Sequence, residues 1–305
     1  MPERLRIGLI GWGTVGSALG KLVRTGPLPL TLESVAVRDR KRADLPKGIE
    51  VGTPEGALEA DIVVELAGGL EGPLTWARLA LDRGKPYVTA NKALLAAHGG
   101  ELAELADRRV AALLASASVG GGTPMIEAVT HLATTGAIDR IRGIVNATTT
   151  YILSAMGAGR SYDDALREAQ DAGFAEADPS FDVDGRDAAQ KLAILASVAW
   201  GKWRPEADVE TTGIVGLDVG AGETVRLVAE ATKEAMSVKP ISLEAGDPLA
   251  HAAGIENVLE ISVADAGTFR ISGPGAGGRV TAGAVYADLG RLVAGERPVL
   301  FGKPS

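Results

Sequence analysis

Leu5-Arg-Ile-Gly-Leu-Ile10, followed by Gly11-Trp-Gly-Thr-Val-Gly16 and then Ser17 to Arg24, decides how this chain folds. The first six residues read as a short buried strand, and the last eight read as a helix. Between them lies Gly-x-Gly-x-x-Gly, the spacing that lets a chain turn sharply from strand to helix beneath a dinucleotide. Gly11 serves the tight turn, Gly13 lets the backbone approach a pyrophosphate, and Gly16 lets helix and strand pack closely. The helix N-terminus then supplies unpaired N–H groups to the phosphates, and Thr14 and Val15 within the loop are cofactor-binding candidates beside the glycines.

Outward from that loop the alternation continues. A second strand, Leu32 to Val37, ends in Arg38-Asp-Arg-Lys41. An acid at this place holds an adenine ribose 2′-hydroxyl, whereas arginine accommodates a 2′-phosphate. Asp39 is outnumbered by Arg38, Arg40 and Lys41, which favours NADP with NAD tolerated. A solvated charge run is the competing reading. Strand Ile62–Glu65 leads to the turn Ala67-Gly68-Gly69 and a helix near Leu74–Asp82, and strand Tyr87–Thr89 leads to Ala90-Asn-Lys92. A helix near Glu101–Arg108 and a strand Ala111–Ala115 follow. Repeated strand–helix units predict a parallel, doubly wound sheet, and ligands bind at the carboxyl ends of its strands. Ala67, Gly68 and Lys92 all fall at that edge.

After Ser116-Ala-Ser-Val-Gly-Gly-Gly-Thr-Pro124 the pattern changes. A helix from Met125 to Thr134 and a strand Ile138–Val145 run into Asn146-Ala-Thr-Thr-Thr-Tyr151, which reads as a hydroxyl-rich turn able to hydrogen-bond a small ligand. Ser161-Tyr-Asp-Asp164 has the spacing of a helix cap. Glu223–Ala235 reads as a helix; Lys239–Leu243, Val258–Val263 and Thr268–Ser272 read as strands; Thr281 to Val293 reads as a closing helix. The expected organisation is α/β: a Rossmann-type domain over 1–124, an α+β domain over 125–278, and 279–305 returning to the first.

Phe174 to Lys191 is the second informative stretch. Glu176, Asp178, Asp182, Asp184 and Asp187 crowd a Pro/Gly-broken loop, and Leu192 to Trp200 is almost wholly apolar, as in a buried helix. Asp187 and Lys191 stand four apart and share a helix face. A lysine at the mouth of a buried helix has its proton affinity open to tuning. The same residues also read as a solvated loop with an ordinary ion pair.

Composition narrows the chemistry. In 305 residues there are 40 glycines, no cysteine and three histidines, and the formal net charge is −8. Disulfides, thiolate metal sites and acyl-thioester mechanisms are excluded. His98, His131 and His251 lack ligand spacing. The acidic balance argues against a nucleic-acid surface. No long apolar run or basic leader is read, so a cytoplasmic protein with a small-molecule substrate and no membrane partner is expected.

With these stretches placed, the chain resembles the homoserine dehydrogenases. The resemblance rests on Gly11–Gly16, Thr89-Ala-Asn-Lys92, Val119-Gly-Gly-Gly-Thr-Pro124, Phe174–Lys191 and Gly275–Val285. It implies reversible NAD(P)H-dependent reduction of L-aspartate 4-semialdehyde to L-homoserine by a short-form homodimer, without the fused kinase or regulatory extension of some members. It assigns Lys191 as acid/base, Asp187 as its partner, and Glu176 and Asp182 to the substrate ammonium. Gly120, Thr148 and Thr149 become substrate contacts, Lys92 stands between cofactor and substrate, and Gly277 meets the cofactor. It also implies a monovalent-cation site on backbone carbonyls of Val119, Gly121 and Thr123. The family's usual Glu is Ser116 here, which predicts weak cation binding or none. The family's Asn-Gly-Thr-x-Asn-Tyr turn is replaced by Asn146 to Tyr151, and Trp12 is bulky for a phosphate loop. Another NAD(P)-dependent oxidoreductase of a small amino or hydroxy acid, or a non-catalytic dinucleotide sensor, is the alternative. Aspartate-semialdehyde dehydrogenase acylates a cysteine and is excluded.

Overall fold

The computed structural model describes residues 4–38, 45–46 and 49–301. The strands are β1 (Leu5–Ile10), β2 (Leu30–Ala36), β3 (Glu50–Gly52), β4 (Ile62–Glu65), β5 (Tyr87–Thr89), β6 (Leu113–Leu114), β7 (Ile138–Ile144), β8 (Val209–Thr211), β9 (Val225–Thr232), β10 (Met236–Ser242), β11 (Glu256–Val263) and β12 (Gly267–Pro274). The helices are α1 (Thr14–Thr25), α2 (Pro54–Ala57), α3 (Glu71–Asp82), α4 (Lys92–Arg109), α5 (Met125–Thr135), α6 (Ala147–Gly157), α7 (Tyr162–Asp171), α8 (Ser180–Val183), α9 (Arg186–Trp200) and α10 (Gly278–Val293). Two compact units result, one from the chain up to Gly122 together with that from Gly277 onward, the other spanning Thr123–Ala276.

The first unit is a parallel sheet of order β3-β2-β1-β4-β5-β6. Its central strands are apolar on both faces, as helix-covered parallel strands must be. Ile7, Leu9, Val35, Val64 and Val88 meet Leu19 and Val23 of α1 in one core. Ala282, Val285, Leu289 and Leu292 of α10 complete it, at spacings of three and four that keep them on one helix face. The Leu28 N–H donates to the Tyr286 hydroxyl at 3.2 Å, fixing α10 beside the end of α1. The chain then runs along the edge of the sheet. The Leu113 N–H donates to the Pro298 carbonyl at 2.9 Å and the Leu300 N–H to the Leu113 carbonyl at 3.0 Å, covering an edge otherwise open to pairing.

The second unit is a mixed sheet of order β12-β11-β7-β9-β10-β8, antiparallel except where β10 meets β8. α9 packs on it and is buried from Asp187 to Ala199 save at Lys191, as its apolar sequence predicts. Two expectations fail here. Glu223–Ala235 contains strand β9 and no helix. Ala and Glu favour a helix, but β9 lies between β7 and β10 with five successive residues buried, so neighbours on both sides override local preference. Asn146–Tyr151 is no turn: Asn146 caps α6, its carboxamide oxygen accepting from the Thr149 N–H, and the threonines continue the helix. Ser161 caps α7 as expected, accepting from the Asp164 N–H. Among the described residues no helix is long and apolar enough to cross a membrane.

Candidate active site

In the first unit the glycine loop follows β1. Gly11 has φ 108°, and a Cβ there would lie 2.6–2.7 Å from the Leu66–Ala67 backbone. A Cβ on Gly16 would strike the Gly11 carbonyl, so the helix can pass this closely only as glycine. Around Gly13, by contrast, a Cβ would meet nothing within 4 Å, and α1 begins there without a side-chain cap. Open space before uncapped N–H groups is what a phosphate needs. A cavity of about 700 Å³ adjoins the loop, lined by Gly11, Trp12, Gly13, Arg38, Ala67, Gly68 and Trp76 among others. Its size and lining fit a dinucleotide. Gly277 precedes α10 with φ 130°, and a Cβ on Gly278 would meet the Thr14 side chain, so α10 starts against the start of α1. Arg40, Asp39 and Lys41 lie outside the described residues.

One network in this unit has no sequence signature. Glu65, wholly buried at the end of β4, accepts from the Ala67 and Gly68 N–H groups at 2.8 and 2.9 Å and from the Thr89 hydroxyl at 2.7 Å. The Asn91 N–H donates to that hydroxyl, and the Asn91 amide donates to the Gly69 carbonyl at 2.8 Å. Asn91 also caps α4, whose first residue is Lys92. A single buried carboxylate therefore ties the Ala67–Gly69 turn to the loop that carries Lys92. Further on, Val119 is buried and Gly120 and Gly121 have φ 76° and 59°.

In the second unit the acidic loop and α6 converge. Lys191 Nζ donates to the Asp187 carboxylate at 2.7 Å and to the Val145 carbonyl at 2.6 Å. The pair is deeply set, with side-chain exposures of 14% and 6%, which separates it from an ordinary surface ion pair. Gly185, with φ 83°, turns the chain into α9 so that Asp187 falls in its first turn. Asp182 accepts from the Thr148 hydroxyl at 3.0 Å and from the Asn146 amide at 2.6 Å. The same amide donates to Asp187 at 2.7 Å. Thr149 is buried and bonds back to Asn146, and Thr123 is buried with its hydroxyl 3.4 Å from the Pro274 carbonyl. Glu176 stands apart: its carboxylate is exposed and has no hydrogen-bond or ion-pair partner among the described residues. The structure thus brings Lys191, Asp187, Asp182 and Thr148 together around Asn146, a residue whose role the sequence reading missed.

The arrangement can hold a protonated lysine against an incoming oxygen beside carboxylates suited to an ammonium group. Residues 11–115 match the family model of the homoserine dehydrogenase NAD binding domain, and residues 124–289 that of homoserine dehydrogenase. Homoserine dehydrogenase of Corynebacterium glutamicum is 38% identical over 93% of this chain and 70% of its own length, and that of Bacillus subtilis 35% over 94% and 72%. The crystal structure of a homoserine dehydrogenase from Thiobacillus denitrificans superposes with a TM-score of 0.92 at 33% identity, covering 99% of this chain and 78% of that one. A hyperthermophilic archaeal homoserine dehydrogenase in complex with NADPH gives 0.87 at 32%, covering 97% and 99%. On its sequence and on its fold, the chain belongs to the homoserine dehydrogenase family.

Proposed function

We propose that this protein reduces L-aspartate 4-semialdehyde to L-homoserine, and runs the reverse oxidation, with Lys191 as acid and base. The observation that carries the reading is the setting of Lys191: two of its three Nζ hydrogens are held by Val145 and Asp187. The third is left for a substrate oxygen. NAD(P)H, when bound, supplies the hydride. As the aldehyde carbon accepts it, the carbonyl oxygen gains negative charge; Lys191 stabilises that charge and passes its proton to the oxygen. In oxidation the neutral lysine removes the hydroxyl proton. Asp187 holds the lysine in place. Asp182 and Glu176 receive the substrate ammonium, Gly120, Thr148 and Thr149 complete the substrate contacts, and Lys92 orients substrate toward the nicotinamide.

The first unit is the proposed dinucleotide-binding domain, with Gly11, Gly13, Thr14, Val15, Gly16, Ala67, Gly68, Lys92 and Gly277 at the cofactor and Arg38 and Arg40 at a 2′-phosphate. The second is the proposed substrate and dimerisation domain. Arg140, Arg142, Glu230 and Lys239 share one sheet face around a depression of about 280 Å³, a mixed-charge surface that supports pairing with a second copy in a cytoplasmic homodimer. The test is cofactor oxidation by purified protein with aspartate 4-semialdehyde, with NADPH and NADH in parallel. Turnover favouring NADPH is expected, and absence of turnover with both would overturn the assignment.

A further inference from the structure

We propose that Asn146 is the positioning residue that sets the geometry of the acid/base pair and of the neighbouring carboxylate. The inference rests on the reading of Lys191 and Asp187 given above and extends it to a residue that touches neither cofactor nor reacting atoms. Asn146 is 5% exposed, and every polar atom of its side chain is used. Its amide nitrogen carries two hydrogens. One goes to Asp182 Oδ1 at 2.6 Å and the other to Asp187 Oδ2 at 2.7 Å. Its oxygen accepts from the Thr149 N–H at 2.8 Å and the Thr149 hydroxyl at 3.0 Å.

That oxygen decides which way the amide faces. A flipped amide would set its oxygen against two carboxylate oxygens and its N–H groups against the Thr149 N–H, so only one orientation is satisfied. The donor end therefore sits between two carboxylates that would otherwise repel each other, and holds both. Asp187 Oδ2 is also the atom that receives Lys191 Nζ, and the Val145 carbonyl that receives the same ammonium belongs to the residue before Asn146. Backbone at 145 and side chain at 146 thus fix the lysine and its counter-ion from one point of the chain. The remaining bond of Asp182, from the Thr148 hydroxyl, comes from the same first turn of α6.

Two duties, helix cap and carboxylate bridge, meet in one side chain, and substitution separates them. Serine at 146 still caps α6 through its hydroxyl but lacks the amide N–H groups that reach the two carboxylates. Asn146→Asp also caps, and adds a third carboxylate where a donor stood. The experiment compares N146S, N146D and the unsubstituted full-length protein in thermal unfolding, NADPH titration by fluorescence, and steady-state reduction of aspartate 4-semialdehyde. For N146S the expected result is a melting temperature within about 3 °C of the parent, because the cap is kept. Its NADPH affinity should be unchanged, and kcat/KM should fall about 10–100-fold, the order expected for losing hydrogen bonds to charged groups. The loss should divide between a raised KM, from Asp182, and a lowered kcat, from the displaced Asp187–Lys191 pair. N146D should lose at least as much. An N146S protein with parental kcat and KM would overturn the proposal, as would a loss that disappears once activity is scaled to the folded fraction. If N146S does not fold, N146D carries the same test, and failure of both to fold would assign Asn146 to the scaffold alone. A parent protein inactive on the semialdehyde would instead refute the proposed reaction.

Discussion

Ser116 is bound to Asp288 through both of its donors: its N–H donates to one carboxylate oxygen at 3.0 Å and its hydroxyl to the other at 2.5 Å. Asp288 lies on α10 and is 1% exposed. Where the resembled family places a glutamate, this chain has a hydroxyl directed at its own closing helix. Activity should therefore be indifferent to replacement of sodium by potassium or an organic cation at constant ionic strength. A saturable requirement for one of these ions in steady-state assays would contradict this.

The same contact should support the fold. Asp288→Ala removes the carboxylate that accepts from the Ser116 N–H and hydroxyl, and losing buried hydrogen bonds to a charged group costs about 1.5–3 kcal/mol. Urea unfolding should show a lowered midpoint with an unchanged slope. Equal stability would mean that α10 is held by its apolar face alone.

Arg38 lines the cavity beside the glycine loop. Arg38→Ala should reduce the preference for NADPH over NADH about tenfold, since a charge-assisted contact to the 2′-phosphate is lost while contacts common to both cofactors remain. Competitive titration of the two nucleotides reads this directly. An unchanged ratio would remove Arg38 from the site.

Asp247 gives the second unit an acid-sensitive anchor. Burial alone would push its carboxyl up. The paired bonds from Arg142, at 2.6 and 3.3 Å, and the Leu249 N–H outweigh that and hold it below the usual carboxylate range. A group whose folded pKa is depressed stabilises the fold above its unfolded pKa, and that contribution is lost as pH falls through the folded value. The parent should therefore exceed Asp247→Asn in unfolding midpoint near neutrality, with the gap closing below the ordinary aspartate range. A gap that persists or widens in acid would show that the carboxylate charge is not its source.

The glycine loop was legible because one spacing, between one strand and one helix, serves a close approach at Gly11, an open space at Gly13 and a tight crossing at Gly16. The Asp187–Lys191 pair was legible because i,i+4 spacing fixes a shared face. Glu65 was not: a lone acid closing an apolar strand gives no hint that it will bind the turn two residues later and Thr89 on the next strand. Asn146 was misplaced for a related reason. Three successive threonines weaken helix propensity, so the segment reads as a turn until the cap and the two carboxylates are in view. β9 was lost to composition, because a strand buried on both faces shows no alternation. The edge pairing of Leu113 with Val299 depends on folding across most of the chain and leaves no local trace.

In the proposed reaction the half-buried ammonium of Lys191, held by Val145 and Asp187, moves the proton. Lys191→Ala and Glu176→Gln, each measured by steady-state kinetics beside NADPH titration, test it most directly. Removal of a general acid costs about 10²–10⁴ in rate, so Lys191→Ala should lose turnover by that order with cofactor affinity intact. Glu176→Gln should chiefly raise KM, because an exposed charge partner for the substrate is lost equally in ground and transition states. A Lys191→Ala protein that turns over at the parental rate would contradict the mechanism.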